Sequence, residues 1–397
     1  MHDPYEDILA VYAERPSKSK GRLIHEEPSH TRNAFQRDRD RVIHSSAFRR
    51  LKYKTQVFVS YEGDHFRTRL THTLEVSQIA RSIARALHVQ EDLAEVVALA
   101  HDLGHPPFAH TGEDALEECM HDFGGFDHND QSLRIVTKLE KRYADFEGLN
   151  LSWEVLEGLA KHNGPVTKPV LPPTIDELNR NFDLRLHTWA SLEAQIGNLS
   201  DDIAYNNHDI DDGLRAGHFT VKDLYSLPIL GNIAQEVREK YPKLDRTRMA
   251  NEIIRRFMGL MIEDVLTETR KRLIALNPQS PEDIRNADQA MVAFSPDFLD
   301  AVSAVRKFLM KNMYRNANVN RVRRKTKRIV KDLFTVFMTE PECLPKEWQE
   351  RIAETGNTDA ARSRAVLDYV SGMTDRYAMQ EHKKLFDPYA IQDLPSV

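Results

Sequence analysis

Cysteine is nearly missing from this 397-residue chain: there are two, Cys119 and Cys343, far apart and with no CxxC partner. A disulfide framework and a thiolate zinc site are thereby excluded, and a reducing cytoplasm is the expected location. No hydrophobic run is long enough to cross a bilayer, so no membrane partner is expected. The opening MHDPYEDILAVYAERPSKSKGR lacks the basic-then-apolar order of a signal peptide. Also absent are a strand series long enough for a doubly wound sheet and any GxGxxG or P-loop glycine pattern for phosphates. Positive charge is not in surplus either. The formal charge of −6 argues against a nucleic-acid coat protein, although Lys and Arg are placed unevenly enough to leave local positive surfaces.

What remains is 41% hydrophobic and 29% charged, the balance of a soluble globular chain. Helical periodicity runs through most of it, so the class read is mainly α, with at most a small β-hairpin near residues 52–67. The length exceeds what one core needs. Residues 1–58 read as an N-terminal arm and basic segment, 59–215 as the catalytic core, and 216–397 as a C-terminal helical region continuous with it. In RDRDRVIHSSAFRRLKYKTQVF, Arg37 to Phe58, acidic partners are few after Asp40, which leaves a basic cluster able to receive phosphate.

Arg69 to Leu87 reads as a helix whose apolar stripe Val76, Ile79, Ile83 and Leu87 extends back through His72 to Arg69, so His72 faces inward. Glu91 to Leu103 reads as a second, centrally buried helix. It carries His101 and Asp102 side by side in VVALAHDLG. Thr111 to Met120 gives a third helix, Asp130 is expected to cap a helix through Tyr143, and Leu184 to His208 reads as one long helix. Further helices are expected over 244–267, 292–314, 319–339, 345–354 and 358–370.

A buried carboxylate without a partner costs several kcal/mol or takes up a proton, and a divalent metal resolves the conflict. His72, His101, Asp102 and one aspartate of LSDDIAYNNHDIDDG form a four-ligand set. Helix neighbours point about 100° apart, so one of Asp201 and Asp202 belongs to it. Asp201 is the choice, because Asp201, Tyr205 and Asp209 make one inward polar stripe. Two imidazoles and two carboxylates suit Mn²⁺, Fe²⁺, Ni²⁺ or Zn²⁺, and Mg²⁺ also fits. Such an ion activates water for attack on phosphorus. His110 and Glu113 lie three apart, close enough for the carboxylate to orient a catalytic imidazole. His105, His128, Lys161 and His162 reach the same space, and Arg69, Lys161 and Tyr205 are the expected phosphate contacts.

At this point the chain closely resembles the HD-domain superfamily, and within it the deoxyguanosinetriphosphate triphosphohydrolase (dGTPase) family of bacterial dNTPases, relatives of the animal SAM- and HD-domain dNTPase. The resemblance rests on seven blocks in order: RDRDRVIHSSAFRRLKYKTQVF, RLTHTLEV, HDLGHPPFAHTGE, FDHNDQSLRI, EGLAKHNG, EAQIGNLSDDIAYNNHDIDD and DYVSGMTDRYAM. It implies an all-α HD-domain core with metal ligands His72, His101, Asp102 and Asp201 and a catalytic pair His110 and Glu113. It further implies that Arg69, Tyr205 and His128 contact phosphates, that Asp209 lies at the phosphate–sugar end, and that Gln56 approaches the 3′-hydroxyl. The implied reaction splits a dNTP into deoxynucleoside and triphosphate, with His110 as base or acid. No long insertion lies between Lys161 and Asp183, which points to broader dNTP use than guanine alone. The resemblance also implies a homo-oligomer, tetramer or hexamer, with activating nucleotides at subunit contacts. The basic stretch Tyr314 to Phe334 is a solvated face, an effector site or a patch for single-stranded DNA. Two other classes stay open: an HD-type phosphomonoesterase or phosphodiesterase, and a nucleotide-sensing or DNA-binding protein with a structural HD centre.

Overall fold

The computed structural model describes residues 4–56, 67–314 and 317–389. Its first half holds helices α1 (Ala34–Ile43), α2 (Ser46–Arg50), α3 (Arg69–Ala86), α4 (Glu91–Ala100), α5 (Ala109–Met120), α6 (His128–Arg134), α7 (Trp153–Ala160), α8 (Pro173–Asn181) and α9 (Leu192–Arg215). The second half holds α10 (Leu230–Lys240), α11 (Arg246–Leu276), α12 (Pro281–Arg285), α13 (Pro296–Leu309), α14 (Ala317–Thr339), α15 (Lys346–Glu354), α16 (Asp359–Gly372) and α17 (Asp375–Phe386). Among the described residues there is no sheet, only isolated bridges such as Thr55–Thr68. The mainly α class is therefore the observed one. The hairpin expected near 52–67 falls mostly outside the described residues. No helix among those described is long and apolar enough to cross a membrane.

The packing starts from α4. Leu93, Ala94, Val96, Val97, Ala98, Leu99 and Ala100 are all buried, and a helix apolar all round has to be enclosed. Helices α1, α3, α7 and α9 enclose it, and each large side chain buried this way is worth about 1.5–3 kcal/mol. Gly197 lets α9 approach closely: a Cβ there would sit 3.2 Å from Val97 Cγ1. The functional centre lies where α3, the end of α4 and α9 meet.

Several boundaries depart from the sequence reading. Helix α9 begins at Leu192 rather than Leu184, because the Ser191 side chain caps it by accepting from Ala194 N. It then runs on to Arg215, two turns past His208. Asp130 does not cap the helix it sits in. Asp127 does so, accepting from Asn129 N and Asp130 N. Asp130 Oδ1 instead accepts from Thr174 N and Ile175 N, at 2.8 and 2.9 Å, and so satisfies the free N–H groups that open α8. Helices α10 and α17 are additions to the expected set.

The two basic stretches are more neutralised than their sequence suggests. Arg37 and Arg41 pair with Glu26, and Arg39 pairs with Asp92 and Glu95. On α14, Arg323 faces Asp114, while Lys327 and Lys331 face Glu118, both acids on α5. Long-range acids, invisible in a local window, absorb much of the charge.

Candidate metal centre and its imidazole cluster

His72 projects from the second turn of α3 and is fully buried. Helix α4 tightens at its end into a 3-10 turn, His101–Gly104, which swings His101 and Asp102 toward His72. Gly104 is needed there, since a Cβ would lie 2.1 Å from the His128 carbonyl. One nitrogen or oxygen from each of His72, His101 and Asp102 falls within 4.8 Å of the others. From α9, Asp201 Oδ1 lies 2.9 Å from His72 Nε2 and 3.7 Å from His101 Nε2. Its neighbour Asp202 turns outward to Arg306, at 2.7 Å.

Protonation and pairing in this cluster fit a divalent cation. His101 Nδ1 lies 2.6 Å from the Ala98 carbonyl. A carbonyl only accepts, so Nδ1 carries a proton and Nε2 is the nitrogen turned to the centre. That Nε2 and Asp102 Oδ2 are both buried without a hydrogen-bond partner, a costly state for two polar atoms facing one point. Asp102 Oδ1 is occupied: Arg69 Nη1 lies 2.9 Å away and His105 Nε2 3.1 Å. Burial by itself would raise the pKa of Asp102, but Arg69, His101 and His105 hold it well below the ordinary value. Asp201 is likewise held down, against the effect of burial, by His101, His162 and His72. Burial pulls His101 down, yet Asp102 and Asp201 push it up to about 9. Two ionised carboxylates and two imidazoles make a donor set of the right charge and type for a divalent first-row metal.

A second group adjoins it. Glu113 Oε1 contacts His105 Nδ1 and lies 3.3 Å from His128 Nδ1. The His105 and His128 rings stack, with centroids 4.1 Å apart and 14° between planes. Glu113 therefore orients His105 and His128, not His110 as the three-residue spacing suggests. His110 opens α5 after Phe108 and Ala109, whose φ values of 65° and 53° put two non-glycine residues in the left-handed region. Such strain persists only where the surroundings enforce it. Here Asp375 Oδ1 accepts from Phe108 N at 2.9 Å, and Lys54 Nζ donates to the His105 carbonyl at 2.5 Å. The resulting turn leaves His110 exposed, its ring centroid 6.3 Å from that of His105. Partial desolvation of the ring by its neighbours, aided by the His105 and Arg69 charges and opposed by Glu113, lowers the pKa of His110 and so favours the neutral imidazole. Burial also pushes His128 down, to about 3, with the His105 charge adding to the effect.

Of the expected phosphate and sugar contacts, Arg69 and His128 line this region as described. Tyr205 OH lies 2.7 Å from Tyr314 OH, and Tyr314 OH donates to Asp209 Oδ2. Gln56 is buried, with Oε1 unpaired. Lys161 is a correction. Its side chain is wholly buried and its ammonium donates to Glu157, Thr188 Oγ1 and the Trp189 carbonyl, at 2.8, 2.9 and 3.2 Å. With three donors used, it has none left for a phosphate.

Four further residues were not singled out as site residues by the sequence reading. Glu75 and His208 back His72, Arg67 pairs with Glu75, Asp211 and Asp212, and Tyr314 links Tyr205 to Asp209. A signal existed for two of them: Glu75 follows His72 by three residues on α3, and His208 lies two turns beyond Asp201 on α9.

Comparison with known proteins follows the same geography. Residues 69–206 match the HD domain family, and residues 292–384 match a phosphohydrolase-associated domain. A deoxyguanosinetriphosphate triphosphohydrolase-like protein of Caulobacter sp. (strain K31) is 55% identical over 387 residues, 96% of this chain and 98% of that protein. Proteins of the same description from Parvibaculum lavamentivorans and Brucella ovis are 55% and 54% identical, over 95% of this chain and 96% and 95% of theirs.

Proposed function

Because the chain belongs to the deoxyguanosinetriphosphate triphosphohydrolase-like family of HD-domain phosphohydrolases, we propose that it hydrolyses deoxynucleoside triphosphates at the α-phosphorus, releasing a deoxynucleoside and intact triphosphate. One observation carries the reading: the donor set His72, His101, Asp102 and Asp201 adjoins the imidazole cluster through the 3.1 Å contact of Asp102 with His105. Neither a sensor nor a structural centre needs a neutral, solvent-facing histidine beside a metal site.

A divalent ion, for which Mn²⁺ is the best match and Mg²⁺, Fe²⁺, Ni²⁺ or Zn²⁺ alternatives, supplies Lewis-acid activation of water and of a phosphoryl oxygen in such a site. The protein's own residues do the rest. His110 takes the proton of the attacking water, the role open to a neutral imidazole. Glu113 keeps His105 and His128 turned toward the triphosphate. Arg69 aligns Asp102 and adds a fixed positive charge for the phosphates. Gln56 Oε1 is an acceptor for the 3′-hydroxyl, and Tyr205, braced by Tyr314, walls the 2′-position. Replacing Tyr205 with Ala should therefore raise the ribonucleotide rate relative to the deoxynucleotide rate, and an unchanged ratio would reject that role.

The test is incubation with each dNTP, singly and in pairs, with Mn²⁺ or Mg²⁺, and separation of the products by chromatography. Triphosphate with deoxynucleoside is the expected outcome. Orthophosphate or a monophosphate would assign a different HD phosphohydrolase reaction, and bound metal without any turnover would leave a sensor.

A further inference from the structure

A second cleft, of about 410 Å³, lies away from the metal centre between the α2 segment, α6 and the α15–α17 region. Three of the sequence blocks meet in it: Arg50 from the basic segment, Gln131 from FDHNDQSLRI, and Tyr369, Gly372, Met373 and Tyr377 from DYVSGMTDRYAM. The proposed reaction gives this surface no task.

The two guanidiniums that line it have no direct salt-bridge partner among the described residues. Arg50 is an arginine of the basic segment without a salt bridge: among the described residues its guanidinium has no hydrogen bond or ion pair, and its Nε is shut off from solvent. Burial holds its pKa below the ordinary value, with the Arg49 charge adding to the effect and the Glu140 carboxylate opposing it. Arg351, across the cleft, lies 4.9 Å above the Trp348 ring, stacked rather than paired. The carboxylates bordering the cleft are already employed. Glu140 accepts from Ser46 N, Ser46 Oγ and Ala47 N, at 3.0, 2.6 and 2.7 Å. Asp368 is bound by Arg134 at 2.8 Å and by Gln131 at 3.2 Å, and Glu347 is bound by Lys141 at 2.8 Å. Neither guanidinium is therefore held in a salt bridge, and both keep N–H donors for a carboxylate or phosphate, with Glu140 and Glu347 as the negative charges acting on them.

The remaining wall is aromatic. Trp348 and Tyr369 lie with ring centroids 5.5 Å apart, and Tyr369 OH is 3.1 Å from Tyr377 OH. The volume falls within the range of about 300–1,000 Å³ typical of small-molecule sites. We propose that this cleft is a second ligand site, taking a planar aromatic molecule that bears a phosphate or carboxylate group. It is separate from the metal centre and does not depend on the reaction assigned to it.

Gly372 supplies a clean test. It lines the cleft, its φ is not in the left-handed region, and a Cβ there meets nothing within 4 Å. A Gly372→Leu variant should fill the cleft without disturbing the fold, which circular dichroism and thermal melting would verify. Calorimetric titration of the full chain with phenyl phosphate, benzoate, phenol and inorganic phosphate reads the site. Phenyl phosphate or benzoate should bind, and whichever binds tighter identifies the anion. Phenol and inorganic phosphate should each bind about tenfold more weakly or worse. Arg50→Met should weaken the aromatic anion by about tenfold or more, Gly372→Leu should abolish its binding, and Asp201→Asn should leave it unchanged. The proposal is overturned if neither aromatic anion binds, if binding survives in folded Gly372→Leu, or if Asp201→Asn removes it.

Discussion

The Nδ1 atoms of His72 and His208 lie 3.1 Å apart in a fully buried contact. Two identical atoms at that distance share one proton, so one ring donates and the other accepts. The other side of His208 decides which. Its Nε2 contacts Glu75 Oε2, and an ionised carboxylate only accepts, so Nε2 carries the proton of a ring whose pKa burial keeps low. His208 Nδ1 is then the acceptor and His72 Nδ1 the donor. That leaves the His72 Nε2 lone pair facing Asp201 Oδ1 at 2.9 Å, two electron-rich atoms that repel unless a cation lies between them. Glu75 and His208 are thus placed as positioning residues that would hold His72 Nε2 ready for the proposed metal.

From this chain of contacts follows a loss of metal affinity without loss of the ligands themselves. His208→Phe and Glu75→Gln should weaken metal binding by about 10–100-fold, read by calorimetric titration of Mn²⁺ into chelator-stripped protein. At saturating metal, kcat should recover most of its value. Unchanged affinity in both variants would remove the relay from the mechanism.

Why the proposed donor set was legible in the sequence and this relay was not is a matter of range. His72, His101, Asp102 and Asp201 announce themselves by periodicity: each is a polar residue on an apolar helix face, where a bland explanation is expensive. The orientation of Glu113 is different, because a three-residue spacing on α5 says only that His110 is near. The carboxylate goes to His105 and His128, brought from a proline turn and from α6 by tertiary packing. Lys161 misled for a similar reason. EGLAKHNG puts it beside His162, which does reach the centre, at 3.8 Å from Asp201, but adjacent residues on a helix end point apart. The neutralisation of the basic segment by Glu26, Asp92 and Glu95 likewise depends on partners that a local window does not contain.

Lys161 should behave as a structural residue. In Lys161→Met the Glu157 carboxylate keeps the bidentate pairing of Arg285, at 2.8 Å from each donor, so no bare charge is left behind. Unfolding free energy in urea should fall by about 1–3 kcal/mol for the lost buried hydrogen bonds. The KM for dATP should stay within about twofold, far less than the tenfold that a lost contact of about 1.4 kcal/mol would bring. A large rise in KM with stability unchanged would restore Lys161 to the phosphate site.

Asp209 makes stability depend on pH in the unusual sense. Burial pushes its carboxyl up to about 8, against the hydrogen bond donated by Tyr314, whereas an unfolded aspartate titrates near about 3.9. Between those values the folded chain keeps a proton that the unfolded chain releases. Unfolding free energy must therefore fall as pH rises across that window and level off above it, by an amount on the order of 5 kcal/mol. Asp209→Asn cannot ionise, so its stability relative to the wild type should improve steadily from about pH 5 to about pH 8 in urea melts. A difference independent of pH would mean that the carboxyl is already ionised in the fold.

The division of labour between the two clusters can be separated by measuring metal and turnover on the same samples. His110 stands outside both ligand-type clusters: it is exposed and its pKa lies below the ordinary histidine value. His110→Ala should retain bound metal, assayed by atomic absorption after dialysis, while triphosphate release falls by about a hundredfold or more. Asp201→Ala should lose both, since it removes the carboxylate that His72 and His101 face across 2.9 and 3.7 Å. Glu113→Gln should keep the metal but release His105 and His128 from their common anchor, raising KM for dNTP more than it lowers kcat. Full metal content and full activity in Asp201→Ala would show that α9 is not part of the centre, and the proton-transfer role of His110 would then lack a substrate held beside it.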